Sequence, residues 1–246
     1  VTKFSATVCL PPTKPRRLPD AIAAAMAPYD INGTARWNPA GEWDWWRVHV
    51  SARTPYLALP AHDGDRRLVT ASTIPRRKAE LAPLGPGKCY GGPRGLLDLA
   101  AMRRRAVRRH DALSAAWDEL AERHPPARPL AEFLARHESD PEGYALAQAK
   151  EDHLLQPLVQ EVAQRAVAGD PHFGMSFLTD DPVAYFAREH EALRQGVLRT
   201  AVPGYALLTL DGSWWDADGE GYGDRANAYL DDLDPEAVVV DVLCHC

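Results

Sequence analysis

The chain has 246 residues, 46% hydrophobic and 25% charged, a balance that fits a folded protein and excludes a disordered one. Its formal net charge is −6, but residues 1–110 carry 19 Lys and Arg against 8 Asp and Glu, and residues 111–246 carry 9 against 26. No apolar run approaches the roughly 20 residues of a membrane span, and the first residues lack the apolar core of a secretory signal, so a cytoplasmic protein with no membrane partner is expected.

In chain order, residues 4–10 come first. Phe4, Ala6, Val8 and Leu10 alternate on one face of a strand. Pro11-Pro12-Thr13-Lys14-Pro15 is a stiff connection, and residues 19–27 form an Ala-rich helix with Pro in its first turn. After the turn Asp30-Ile31-Asn32-Gly33, residues 43–50 alternate as a strand, with Trp43, Trp45 and Arg47 on one face and Trp46, Val48 and Val50 on the other. Residues 53–90 are rich in Pro and Gly, with short strands expected near 56–59 and 67–70.

From residue 95 to about 123 the apolar positions recur at steps of three and four, predicting one long amphipathic helix. Pro125 and Pro126 end it, and a short helix is expected over 130–137. Asp140-Pro141 reads as the cap and first residue of a helix to about 168, kinked at Pro157; Asp181-Pro182 repeats the cap before a helix to about 198. Residues 205–210 predict a strand, 224–233 a helix, and the β-branched run 237–243 a covered final strand.

Taken from the two ends, the order is strand, helix, strand, then strand, helix, strand. This predicts an α+β protein whose chain ends build a ferredoxin-like (βαββαβ) sheet. The expected core is 1–74 with 201–246, and a large helical insertion, 75–200, packs on it as one cooperative unit.

Several landmarks are similar to a family of uncharacterised proteins encoded by actinobacteria and their phages. They are Ala27-Pro28-Tyr29-Asp30, Trp43-Asp44-Trp45-Trp46, Gly91-Gly92-Pro93-Arg94-Gly95-Leu96-Leu97-Asp98-Leu99, Gln148-Ala149-Lys150-Glu151-Asp152, Leu208-Thr209-Leu210-Asp211-Gly212-Ser213-Trp214, and Val238-Val239-Val240-Asp241 near a terminal Cys-His. Members of that family follow the Trp-rich strand with a Gly-Gly-Arg-Trp turn, where this chain continues Val48-His49-Val50-Ser51-Ala52, and here the Cys-His pair stands farther past the Asp. The resemblance implies one homologous globular unit and transfers no activity.

Four groups of residues carry candidate chemistry. Cys244, His245 and Cys246 are zinc-type ligands, with Cys89 as a possible fourth, although the spacing departs from finger and ribbon patterns. In the expected sheet Cys9 would lie ~20 Å from Cys244 and could not join them. The four cysteines are too few and too uneven for a disulfide framework. The glycine-rich run 85–95 offers Lys88, Gly91, Gly92 and Arg94 as an anion-binding loop before a helix, but it lacks the P-loop and Rossmann spacings.

Trp43, Trp45, Trp46 and Arg47, with Arg36 and Arg53 nearby, are a possible base-stacking platform, and Arg104, Arg105 and Arg108 of the basic helix extend that nucleic-acid reading. Residues 216–224 place acids at calcium-loop spacing, but position 12 is Asn227. Against each stands a structural role: strand-end thiols, a packed glycine loop, core tryptophans, a solvated helix face. His110 falls on the apolar stripe of its helix, as a core histidine would, and neither Asp152-His153 nor Glu189-His190-Glu191 forms an acid–base pair on spacing alone.

With no convergent catalytic set in view and no cofactor implied, the leading expectation is a binding or interaction protein with an unidentified protein partner. The alternatives are a nucleic-acid-binding protein using the basic N-terminal half and an enzyme with a site at the glycine-rich loop.

Overall fold

The structure, a computed structural model, describes residues 3–33, 38–48, 55–73, 81, 83–174 and 181–246. The protein is mixed α+β and divides into two compact units, Val1–Arg104 with Leu198–Cys246, and Arg105–Val197. Among the described residues no helix is long and apolar enough to cross a membrane.

The chain runs through β1 (Lys3–Leu10), α1 (Leu18–Met26), β2 (Trp45–Val48), β3 (Tyr56–Leu57), β4 (Lys88–Cys89) and β5 (Gly91–Pro93). Then come α2 (Leu99–Arg123), α3 (Leu130–Ser139), α4 (Leu146–Leu154), α5 (Pro157–Val167), α6 (Pro182–Phe186) and α7 (His190–Thr200). It closes with β6 (Ala206–Leu208), β7 (Trp214–Asp216), α8 (Tyr222–Asp232) and β8 (Val238–His245).

The two chain ends pair along their whole length. β1 and β8 are antiparallel from Lys3↔His245 to Leu10↔Val238, and β6 lies parallel to β1 on its other side. The sheet order is β2-β8-β1-β6-β7, with β5 also on β8. The ferredoxin-like expectation needs a correction here. Its β8-β1-β6 neighbours are formed, but that topology places the Trp-rich strand beside the Tyr205 strand. It pairs instead with β8, and β7 takes the place beside β6. The reason is local: Asp211-Gly212 turns β6 straight back into β7, a short hairpin that occupies the outer edge of β6.

Alternation along the strands sorts the two faces. One face carries Ala6, Val8, Leu10, Val48, Val240 and Val242 against Leu18, Ile22 and Met26 of α1. The other carries Cys9, Leu207 and Val239 against Leu99 and Met102 of α2 and Tyr222, Ala226 and Leu230 of α8. The unit boundary therefore falls at residues 104/105, not at 74/75. Residues 91–93 hydrogen-bond to β8, and Leu96, Leu97 and Leu99 are core residues of the sheet unit. Gly91 has φ 143° and lies against the Val239 carbonyl, where any Cβ would collide.

The second unit has its own interior of Trp117, Leu120, Leu158, Val162, Ala166 and Phe173, with Phe186 stacked on Trp117 at 4.4 Å. The helix expected from Pro141 begins only at Leu146, because residues 141–144 turn on the Asp140 carboxylate, which accepts from Gly143 N at 2.9 Å. Pro157 starts a new helix rather than kinking one. The Asp181 cap is formed, accepting from Val183 N and Ala184 N, but its helix stops at Phe186 and α7 starts afresh at His190. Of the two short strands expected over 53–90, the first forms as Tyr56–Leu57, while Leu68 and Val69 are buried outside any strand.

One polar group interrupts the second face. Asp241, 8% exposed, accepts from Thr7 Oγ1 at 2.7 Å and from the Tyr56 hydroxyl at 2.9 Å. Thr7 Oγ1 in turn accepts from Gly204 N, and the Tyr222 hydroxyl donates to Gly204 O. Gly204 has no room for a Cβ beside the Ser5 carbonyl, so this crossing of backbones is specific to glycine. Thr7→Val keeps the shape and removes both hydroxyl bonds, leaving buried polar groups unpaired. We expect a loss of about 2–3 kcal/mol in urea unfolding; a loss below about 0.5 kcal/mol would show that the network is not a stability element.

Candidate functional site

The residues singled out from sequence regroup at one end of the sheet. Trp45 of β2 and His245 of β8 are register partners, so their side chains leave the sheet on the same face. The two rings stack at 5.6 Å with a 14° tilt. His245 Nδ1 bonds Asp44 Oδ1 at 2.6 Å, and Asp44 N donates to the His245 carbonyl at 2.9 Å, so backbone and side chain fix the same pair. Arg47, two residues along β2 on the same face, places its guanidinium 5.7 Å from the Trp45 ring centroid. Trp45 is 37% exposed, and Arg47 is exposed.

Chemically this is an imidazole held in one orientation by a carboxylate, beneath an indole that a solvent-facing cation also touches. Facing the Asp44 carboxylate, Nδ1 is the donor of this bond, and in the neutral ring Nε2 is the acceptor. Sequence reasoning found Trp45, Arg47 and His245 separately and missed Asp44. Its signal was the Asp inside the Trp43–Trp46 run, but its partner lies 201 residues away.

The metal reading of Cys244, His245 and Cys246 is corrected by the strand itself. Successive side chains of β8 point to opposite faces. Cys244 is buried in the α1-side core beside Val242, His245 is on the other face with Asp44, and Cys246 is exposed. Among the described residues no cluster of three or more His, Cys, Asp or Glu could hold a metal ion. Burial pushes the Cys89 thiol up to about 11 and the Cys244 thiol up to about 12. Cys9 is raised too, by burial first and then by the Asp241 charge.

The glycine-rich loop is not a cradle. Arg94 Nε donates to the Leu230 carbonyl at 2.6 Å, and its Nη2 lies 3.5 Å from Asp231 Oδ1, so the guanidinium closes the C-terminus of α8. Gly91 and Gly92 are buried against β8 and Leu68, and Lys88 sits in the two-stranded β3–β4 ladder. The start of α2 already holds a carboxylate: Asp98 Oδ1 accepts from Ala101 N at 2.7 Å. Three of the calcium-spaced acids are engaged elsewhere: Asp216 Oδ1 accepts from Asp218 N and Gly219 N, Asp218 accepts from the Tyr205 hydroxyl, and Asp224 pairs with Arg199.

The stacking platform is divided. Trp43 is buried and Trp46 is half-buried in the α1-side core, which leaves Trp45 alone facing outward. Arg104 is exposed, 3.9 Å from Asp98, while Arg105 and Arg108 belong to the second unit. Arg36, Arg53 and residues 49–52 lie outside the described residues. The charge asymmetry of the sequence closes up on folding. The sheet unit holds 18 basic and 18 acidic residues, with Arg67 facing Glu236 and Arg103 facing Asp231.

Comparison with family models, with curated proteins and with solved structures gives no match for this chain.

A second polar cluster lies within the other unit. His110, buried as its place on the apolar stripe predicts, stacks on His190 at 5.3 Å, and among the described residues its Nδ1 has no hydrogen-bond partner. Asp111 Oδ1 lies 3.7 Å from His190 Nε2 and 3.6 Å from Arg194 Nε. His153, also buried, approaches Asp181 Oδ1 at 3.9 Å, while its sequence neighbour Asp152 turns away to the Tyr144 hydroxyl.

Two expected outcomes follow from these clusters. Asp44→Ala should release the His245 ring from its single tautomer, read as movement of the two ring ¹⁵N shifts toward each other; unchanged shifts would show that Asp44 does not orient it. Burial, then the neighbouring His190, holds the His110 imidazole below its ordinary range. Folding therefore favours its neutral form, and stability is lost as pH falls below the ordinary value of about 6.5. Amide-exchange protection in α7 should drop between pH 7 and pH 5, and His110→Phe should flatten that slope. An equal slope in the variant would assign the effect elsewhere.

Proposed function

We propose that this protein is a binding module that holds a partner protein on the Trp45 end of the first unit's sheet. The observation that carries this reading is the pinned indole. Trp45 is exposed, yet it is fixed from beneath by His245, which Asp44 holds. A large ring with few rotatable bonds, already immobilised, loses little entropy on binding, which is why tryptophan and arginine are enriched where interface energy concentrates. Arg47 beside it supplies the second residue type of such anchors.

The charge balance favours a protein partner over a nucleic acid. Nucleic-acid affinity is dominated by phosphate neutralisation, and the unit that carries the Trp45 platform has equal numbers of basic and acidic residues.

Panning a random-peptide library against the full chain tests the reading. Enriched peptides are expected to bind Trp45→Ala at least tenfold more weakly, with the fold of the variant checked by far-UV circular dichroism. Binders indifferent to Trp45, or a Trp45-dependent gel shift of mixed-sequence DNA or RNA at physiological salt, would overturn it.

A further inference from the structure

The row that contains Trp45 extends across three strands. Lys3 of β1, His245 of β8 and Trp45 of β2 are successive register partners, so their side chains share one face. The next row on that face is Ser5, Leu243 and Arg47. With strands ~4.8 Å apart and same-face rows ~6.8 Å apart, Lys3 and Arg47 flank His245 within a patch on the order of 10 Å across.

Five other cations of the unit are engaged by acids. Arg67, Arg94, Arg103, Arg104 and Arg199 each face a carboxylate. Lys3 and Arg47 are exposed, and among the described residues neither has a carboxylate partner. The nearest acid in sequence, Asp44, is engaged by His245.

We propose that this face takes an acidic, extended segment of a partner protein, an inference that rests on the binding-module reading above. Alternate side chains of an extended peptide fall ~6.8 Å apart, the spacing of the two rows. Glutamate or aspartate carboxylates would meet Lys3 and Arg47, a backbone N–H would donate to His245 Nε2, and the aliphatic stem of a side chain would lie on Trp45. The two isolated cations suit a short acidic motif; a nucleic-acid strand calls for a longer basic track.

Fluorescence titration of the full chain with two decapeptides, one alternating glutamate and threonine and one alternating lysine and threonine, tests the charge preference. The acidic peptide is expected to bind at least tenfold more tightly, and the double variant Lys3→Glu/Arg47→Glu is expected to reverse that order. Because both residues are exposed, the variant should fold, and circular dichroism checks it. Equal binding of the two peptides, or a preference that survives the charge reversal, overturns the proposal. If panning still gives Trp45-dependent peptides without acidic residues, the inference fails and the binding-module reading stands. Competition by a single-stranded oligonucleotide that disappears in the double variant would reassign the face to phosphates.

Discussion

The antiparallel ladder between β1 and β8 is the constraint on which the rest of the first unit depends. It joins residues far apart in the chain, 234 positions for the Thr7–Asp241 pair. Closing so long a connection costs only slightly more entropy than closing one half its length, since the cost grows with the logarithm of length. What offsets it is a pair of eight-residue strands, buried over Ala6–Leu10 and Val238–Cys244. Once this register is set, β6 finds its parallel place on β1, and β5 and β2 line up along the free edge of β8. The Trp45–His245–Lys3 row exists only because three strands agree in register.

The same ladder explains why a charged group is tolerated in the interior. Asp241 replaces an apolar side chain at a central position of a β-branched strand, and its cost is met by two hydroxyl donors brought by β1 and β3. A slip of one residue would carry Asp241 to the α1 side among Val8, Leu10 and Ile22, away from the Thr7 and Tyr56 hydroxyls. The acid thus specifies register as well as occupying space.

How much of this was legible in the sequence depends on whether the signal was local. The paired chain ends, α1, the long α2 and the Asp181 cap all announce themselves within a few residues, through period, proline and cap chemistry. The ferredoxin-like topology failed at the outer edge of β6, which the local Asp211-Gly212 hairpin fills with β7, leaving the Trp-rich strand to the edge of β8. The charge split could be read but not interpreted until Arg94 and Arg103 met the acidic end of α8. The Cys-His-Cys metal reading treated sequence neighbours as spatial ones, which a strand forbids. Conversely, His245 and Asp44 were both visible, yet nothing in either segment tells of the other.

Burial also partitions the thiol chemistry of the chain. Cys9, Cys89 and Cys244 are enclosed and held in the protonated form, whereas Cys246 is exposed, one residue beyond the imidazole that supports Trp45. A maleimide reagent applied to the native protein should therefore find a unique address, and a dye placed there would sit close enough to the indole to report on whatever comes to rest against it.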